Sequence, residues 1–128
     1  GGASVAFGDV DGDDRREIVT GPGRGGGPHV RVFRTDGQLW AGGFFAFDTL
    51  EQGGVRVAIG DVDGDGRAEI IVGSGPGSVP RVRVYDREYR LRSEMVLGSV
   101  PSPIGVEPVV TDLDGDGKAE ILIPSSPF

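Results

Sequence analysis

Two stretches carry the simplest pattern in the chain. HVRVF (29–33) and RVRVY (81–85) place Val at every second position, with Arg between. A period of two puts the valines on one face of a β-strand and the arginines on the other. Shorter apolar runs stand before and after an acidic segment: VAFG (5–8) with EIVTG (17–21), and VAIG (57–60) with EIIVG (69–73). A further strand-like segment follows each Val–Arg stretch, LWAGGFFAF (39–47) in one case and LRSEMVLG (91–98) in the other. Clusters of Gly, Pro, Asp and Ser separate all of these, the punctuation expected of strands joined by turns. No window sustains a helical period, and Gly and Pro are too dense to permit one.

The pattern recurs because the chain repeats itself. GGASVAFGDVDGDDRREIVTG (1–21) aligns without gaps on GGVRVAIGDVDGDGRAEIIVG (53–73), and GPGRGGGPHVRVF (21–33) lies on GSGPGSVPRVRVY (73–85). About 20 of the first 34 positions are identical at this offset. A third copy starts at IGVEPVVTDLDGDGKAEILIP (104–124) and stops early. Each full repeat predicts four short antiparallel strands, and the whole chain ten. A four-stranded meander cannot bury both faces alone, so it must stack on its neighbours. Four strands at this period are the sequence form of a propeller blade, with the first strand innermost and the fourth at the rim. The predicted fold is all-β: about two and a half four-stranded antiparallel β-propeller blades, an incomplete propeller. The divisions fall at 1–52, 53–103 and 104–128, the last being the first half of a third blade.

Between the first two strands of each repeat lies D-x-D-G-D-G-x-x-E or a close variant. Side chains at positions 1, 3 and 5 converge when the backbone curls around a point. Gly at position 6 permits a backbone conformation closed to residues with a Cβ. Position 7 offers its carbonyl, and the carboxylate at position 9 closes the shell. These are hard oxygen donors, suited to Ca²⁺ and less well to Mg²⁺. The candidate ligands are Asp9, Asp11, Asp13, Arg15 and Glu17; Asp61, Asp63, Asp65, Arg67 and Glu69; and Asp112, Asp114, Asp116, Lys118 and Glu120. Arg15, Arg67 and Lys118 would act through the backbone, with side chains directed to water. Loop one departs from the pattern, because Asp14 stands where the position-6 Gly is expected. An EF-hand is excluded, since it needs Glu at position 12 and flanking helices; position 12 is Thr20, Val72 and Ile123.

Charge supports cations. The 128 residues carry a net charge of −7, and 12 of the 20 acidic residues belong to these three ligand sets. Four carboxylates within nine residues repel one another unless a cation joins them. Three divalent cations would cancel nearly all of the net charge. The same acidity, with a pI near 4.6, argues against nucleic acid and anionic membrane as partners. No apolar run approaches the roughly 20 residues of a membrane-spanning helix. Residues 1–30 lack the basic start and apolar middle of a signal peptide, so export is not legible directly. With no Cys, disulfides and thiolate metal sites are excluded. The 24 glycines exceed an ordinary share and fit many tight turns.

VAIGDVDGDGRAEIIVGSGPGSVPRVRVYD (57–86), its counterpart at 5–34 and VVTDLDGDGKAEILIP (109–124) resemble the FG-GAP/VCBS repeats of integrin α-type β-propellers, especially the bacterial tandem forms. The resemblance implies Ca²⁺, up to three ions, held in the hairpin between strands one and two of each blade, by loop positions 1, 3, 5, 7 and 9. It also implies an extracellular or cell-surface structural or adhesion module of bacterial type, with a protein or glycan as ligand. This sequence departs from the family in carrying Glu at position 9, and in size, since such propellers usually have seven blades. An accessory propeller segment of a larger secreted enzyme or carbohydrate-binding protein is the alternative.

Other features are weaker. GPGRGG (21–26) satisfies G-x-G-x-x-G, but a strand follows where a dinucleotide site needs a helix. His29 has Arg81 as its counterpart, so the repeat does not require an imidazole there. Trp40 and FFAF (44–47) read as aromatic packing between blades. Arg31, Arg81 and Arg83 read as a solvated strand face. No nucleophile–base pair is credible, and the expected role is not enzymatic. A half-built third repeat would leave apolar faces and a strand edge open. The expected partners are therefore the remainder of a longer propeller chain or copies of the chain itself.

Overall fold

A computed structural model of the chain describes residues 3–9, 16–23, 25, 27–34, 43–47, 53–65, 67–86, 88–100, 105–111 and 118–122. Ten strands form among them and no helix. They are β1 (Ala3–Gly8), β2 (Glu17–Pro22), β3 (His29–Phe33), β4 (Phe44–Phe45), β5 (Val55–Gly60), β6 (Glu69–Ser74), β7 (Arg81–Tyr85), β8 (Leu91–Val96), β9 (Val109–Thr111) and β10 (Glu120–Leu122). Strand order follows the sequence: β1-β2-β3-β4 in one sheet, β5-β6-β7-β8 in the next, and β9 beside β10 in a third. Every pairing is antiparallel, and the first three strands of the first two sheets share a register. Gly8 faces Glu17 across the first hairpin as Gly60 faces Glu69 across the second.

Alternation decides what each strand buries. In β3, Val30 and Val32 are fully buried while Arg31 between them is exposed. Those valines join Val19 and meet Val55, Val57, Ile70, Val72 and Tyr85 of the second sheet. The second sheet turns Ile71, Val82 and Val84 the other way, onto Val106 and toward Val110 and Ile121 of the third repeat. Burying one such side chain contributes roughly 1.5–3 kcal/mol. The two inter-sheet cores, rather than the meanders themselves, therefore hold the molecule together.

Glycines let the sheets approach. A Cβ on Gly8 or Gly21 would lie under 3.0 Å from Ile59 or Val55 of the second sheet. A Cβ on Gly60 or Gly73 would come equally close to Val110 or Val106 of the third repeat. Glycines of the first two strands of each sheet thus leave room for the next repeat, filled by branched side chains at Gly8, Gly21 and Gly60 and by the Val106 carbonyl at Gly73.

At the far end of the sheets a polar clasp takes over. The Tyr85 hydroxyl and an Arg83 guanidinium N–H both donate to the Ala46 carbonyl. Phe47, almost fully buried, lies beneath the guanidinium groups of Arg81 and Arg83, 4.8 and 5.1 Å from its ring centre. Phe44 packs on Tyr85 and Tyr89, each with ring centres 4.6 Å away. Phe44, Ala46 and Phe47 of the FFAF run are inter-sheet packing, as expected, whereas Phe45 is exposed on the other side of its sheet. Trp40 lies outside the described residues. The solvated arginine face holds for Arg31 alone. Arg81 and Arg83 are half-buried, because the first sheet covers the face of β7 from which they project. His29 is half-buried and stacks on Phe45 with ring centres 4.7 Å apart.

Candidate metal site

Loop two (61–69) leaves β5 and returns into β6. Its first half is wound by its own carboxylates. Asp61 Oδ1 accepts from the N–H groups of Gly64 and Asp65, at 2.8 and 3.2 Å. Asp63 Oδ1 accepts from Asp65 N–H at 3.1 Å, and Asp65 Oδ1 from Arg67 N–H at 2.8 Å. Short acidic side chains bond nearby backbone donors readily, which is why Asp suits such turns. Gly64, at φ +79°, supplies the left-handed residue that the curl requires. At the far end, Glu69 Oε1 accepts from Val62 N–H at 2.9 Å and ties position 9 back to position 2.

One carboxylate oxygen from each of Asp61, Asp63, Asp65 and Glu69 lies within 4.8 Å of the others. Two ligands on opposite sides of a Ca²⁺ ion, each at 2.3–2.6 Å, are separated by about 5 Å. The span therefore fits one calcium shell, and the donors are the hard oxygens that calcium prefers. Asp63 and Asp65 are exposed, Asp61 is half-buried and Glu69 is buried. Burial pushes the Glu69 carboxyl up to about 7, with the charges of Asp63 and Asp65 adding to the rise. Asp63 is also raised, first by burial and then by Asp65 and Asp61. Carboxylates held this close repel one another, and a cation among them would relieve that repulsion. A cleft of about 170 Å³ opens beside the loop, lined also by Asp86 and Glu88 of the β7–β8 connection and Arg92 of β8. Asp86 is itself fixed, since its Oδ1 accepts from the N–H groups of Glu88 and Arg90.

The structure brings together the four side-chain candidates of loop two. Arg67, the fifth, is exposed, as expected of a residue offering only its carbonyl. In loop one Glu17 is buried like Glu69, and Asp9 is half-buried. Asp11, Asp13 and Arg15 lie outside the described residues, as do Asp14 and Gly66. In loop three Lys118 is exposed and Glu120 half-buried, while Asp112, Asp114 and Asp116 lie outside the described residues. Lys118 does more than face water. Its aliphatic stem crosses loop two, where a Cβ on Gly64 would come within 3.0 Å of Lys118 Cγ. The loops are also joined through the backbone. Ala68 N–H donates to the Asp9 carbonyl at 2.9 Å, and Ala119 N–H to the Asp61 carbonyl at 2.7 Å. Each bond runs from position 8 of one loop to position 1 of the loop before it.

The sequence reading assigned no role to two contributors. One is Gly64 at position 4, although Gly12 and Gly115 repeat it and mark it as a backbone requirement. The other is the Asp86–Glu88 pair, whose first member has Arg34 as its counterpart, so the repeat carried no signal for it.

Stacked four-stranded antiparallel sheets, with an acidic hairpin loop between the first two strands, define a tandem-repeat all-β protein. The family model for the FG-GAP-like repeat matches residues 9–72, half of the chain, and the chain belongs to that family. A search of curated proteins found no match.

Proposed function

We propose that the chain is a calcium-stabilised, non-catalytic structural module of propeller-type blades, working in adhesion or scaffolding outside the cell. The observation that carries this reading is the convergence of Asp61, Asp63, Asp65 and Glu69 on one calcium-sized shell. FG-GAP-like repeats occur typically in extracellular propellers, which supports the setting, and no described helix is long and apolar enough to cross a membrane.

A bound calcium ion would supply positive charge and a fixed coordination sphere. The protein contributes the rest. Asp61, Asp63 and Asp65 hold the turn by accepting hydrogen bonds from its backbone N–H groups. Glu69 closes the shell from β6, so the ligand set spans both strands of the hairpin. The unfolded chain has no such constellation, and binding therefore adds to the stability of the fold by linkage. At a free calcium concentration 100-fold above Kd, one loop would add about 2.7 kcal/mol.

Melting scans with Ca²⁺ and with EGTA test this, together with a calorimetric titration. The expected results are a higher Tm with Ca²⁺ and at least one calcium bound per chain. Asp65→Asn is expected to weaken loop two by about tenfold or more, since one charged ligand is lost without a change of shape. An unchanged Tm with no heat of binding would sink the metal reading.

A further inference from the structure

The chain departs twice from regular backbone around the β7–β8 connection. Tyr89 stands at φ +64°, in the left-handed region, where the first repeat has Gly37. A side chain there is disfavoured unless its surroundings hold it. The ring is held by Phe44 of the first sheet, on which it stacks. Tyr89 N–H donates to the Asp86 carbonyl and Asp86 N–H to the Arg90 carbonyl, both at 3.0 Å, so the turn is closed as well as anchored. The second departure is a bulge. Val84 pairs with Ser93 and Tyr85 with Leu91, which makes Arg92 an extra residue on β8. A bulge breaks the alternation of a strand and re-aims a side chain.

Arg92 lines the cleft beside loop two together with Asp63, Asp65, Glu69, Asp86 and Glu88. Its guanidinium is held loosely, with Nη1 3.7 Å from Asp86 Oδ2, and is largely exposed. Arg67 lines the cleft as well, but position 7 is basic in all three loops, as Arg15, Arg67 and Lys118. Arg92 is different. Its counterpart in the first repeat is Trp40, and that of Asp86 is Arg34. The first two loops carry the same four acids at their ligand positions. The acid and the cation set beside loop two are particular to the second repeat of the pair.

We infer that Arg92 is a resident positive charge that lowers the affinity of loop two for a divalent cation, and that Asp86 opposes it. The inference rests on the metal reading of loop two. A cation held by Asp63, Asp65 and Glu69 would share one small cleft with the guanidinium, within a Debye length of about 10 Å at 0.1 M salt. At that range one unit charge shifts the affinity for a divalent ion several-fold. Asp86 acts with the opposite sign, as a negative charge in the same cleft. The bulge and the Tyr89 anchor keep the pair beside the loop.

Calorimetric calcium titrations of the whole chain test it, the component weakened by Asp65→Asn being loop two. Arg92→Gln is expected to tighten that component about three- to tenfold at roughly 0.05 M salt, and by less than about twofold at roughly 0.5 M. Asp86→Asn keeps the oxygen that accepts from the Glu88 and Arg90 N–H groups, and is expected to weaken the component about threefold. A merely structural role would weaken binding in both variants and would not respond to salt. Arg56→Gln removes the same charge from an exposed site on β5, about 16 Å along the strand from Asp61. It is expected to change the affinity by less than about twofold. Calcium binding that Arg92→Gln leaves unchanged or weakens overturns the inference, as does an equal gain from Arg56→Gln. A native chain that binds no calcium overturns the metal reading itself, and the inference with it.

Discussion

Glu69 is a buried acid whose carboxyl stands at about 7, against 4.5 for an ordinary glutamate. Between those values the calcium-free folded chain holds a proton that the unfolded chain has released. Its stability therefore falls as pH rises through that window, and the Glu69 contribution is complete only below it. Urea denaturation in EGTA is expected to show a loss on the order of 1–3 kcal/mol from pH 5 to pH 8. Glu69→Gln should flatten that slope, and Ca²⁺ should offset it. Raised Asp63 pushes in the same direction. A second residue-scale test concerns Gly60, where a new side chain meets Val110. Gly60→Val is expected to cost about 2–4 kcal/mol, because two backbones must part to admit it.

Between neighbouring elements, the clasp formed by β7 and the end of the first sheet unites parts that lie far apart in the sequence. Tyr85→Phe leaves the ring packing on Phe44 in place and removes one of two donors to the Ala46 carbonyl. A loss of about 1 kcal/mol is expected in equilibrium denaturation, since Arg83 still satisfies the acceptor. This clasp was invisible in the sequence, whereas the strands themselves were not. The Val–Arg alternation of β3 and β7 declared one buried face, and the shared DxDG motif declared the hairpin loops. A period-2 pattern says which face is covered but not what covers it. Hence Arg81 and Arg83 read as solvated, although the first sheet lies across them. The left-handed turn at Gly64 was within reach, because all three loops carry Gly there. The Asp86–Glu88 wall was not, because it belongs to one repeat only.

For the molecule as a whole, stability resides in contacts between successive sheets, so damage should spread along the stack. Local losses at Gly60 or Tyr85 are expected to loosen an entire sheet rather than one strand, visible as faster amide exchange across its buried valines. The same stacking explains the glycine excess, which tight turns alone do not: several glycines sit where one inner strand meets the next.

The peptide between Arg67 and Ala68 has two ends in two neighbourhoods. Its carbonyl belongs to loop two, and its N–H reaches back to Asp9. The peptide between Lys118 and Ala119 repeats the arrangement one loop further on, toward Asp61. A cation drawing on the Arg67 carbonyl would polarise the whole amide and strengthen the bond that its hydrogen makes. The amide protons of Ala68 and Ala119 are thus natural nuclear-magnetic-resonance reporters. Each should move downfield when its own loop fills, and a titration followed at these two signals would give the order in which the second and third loops load.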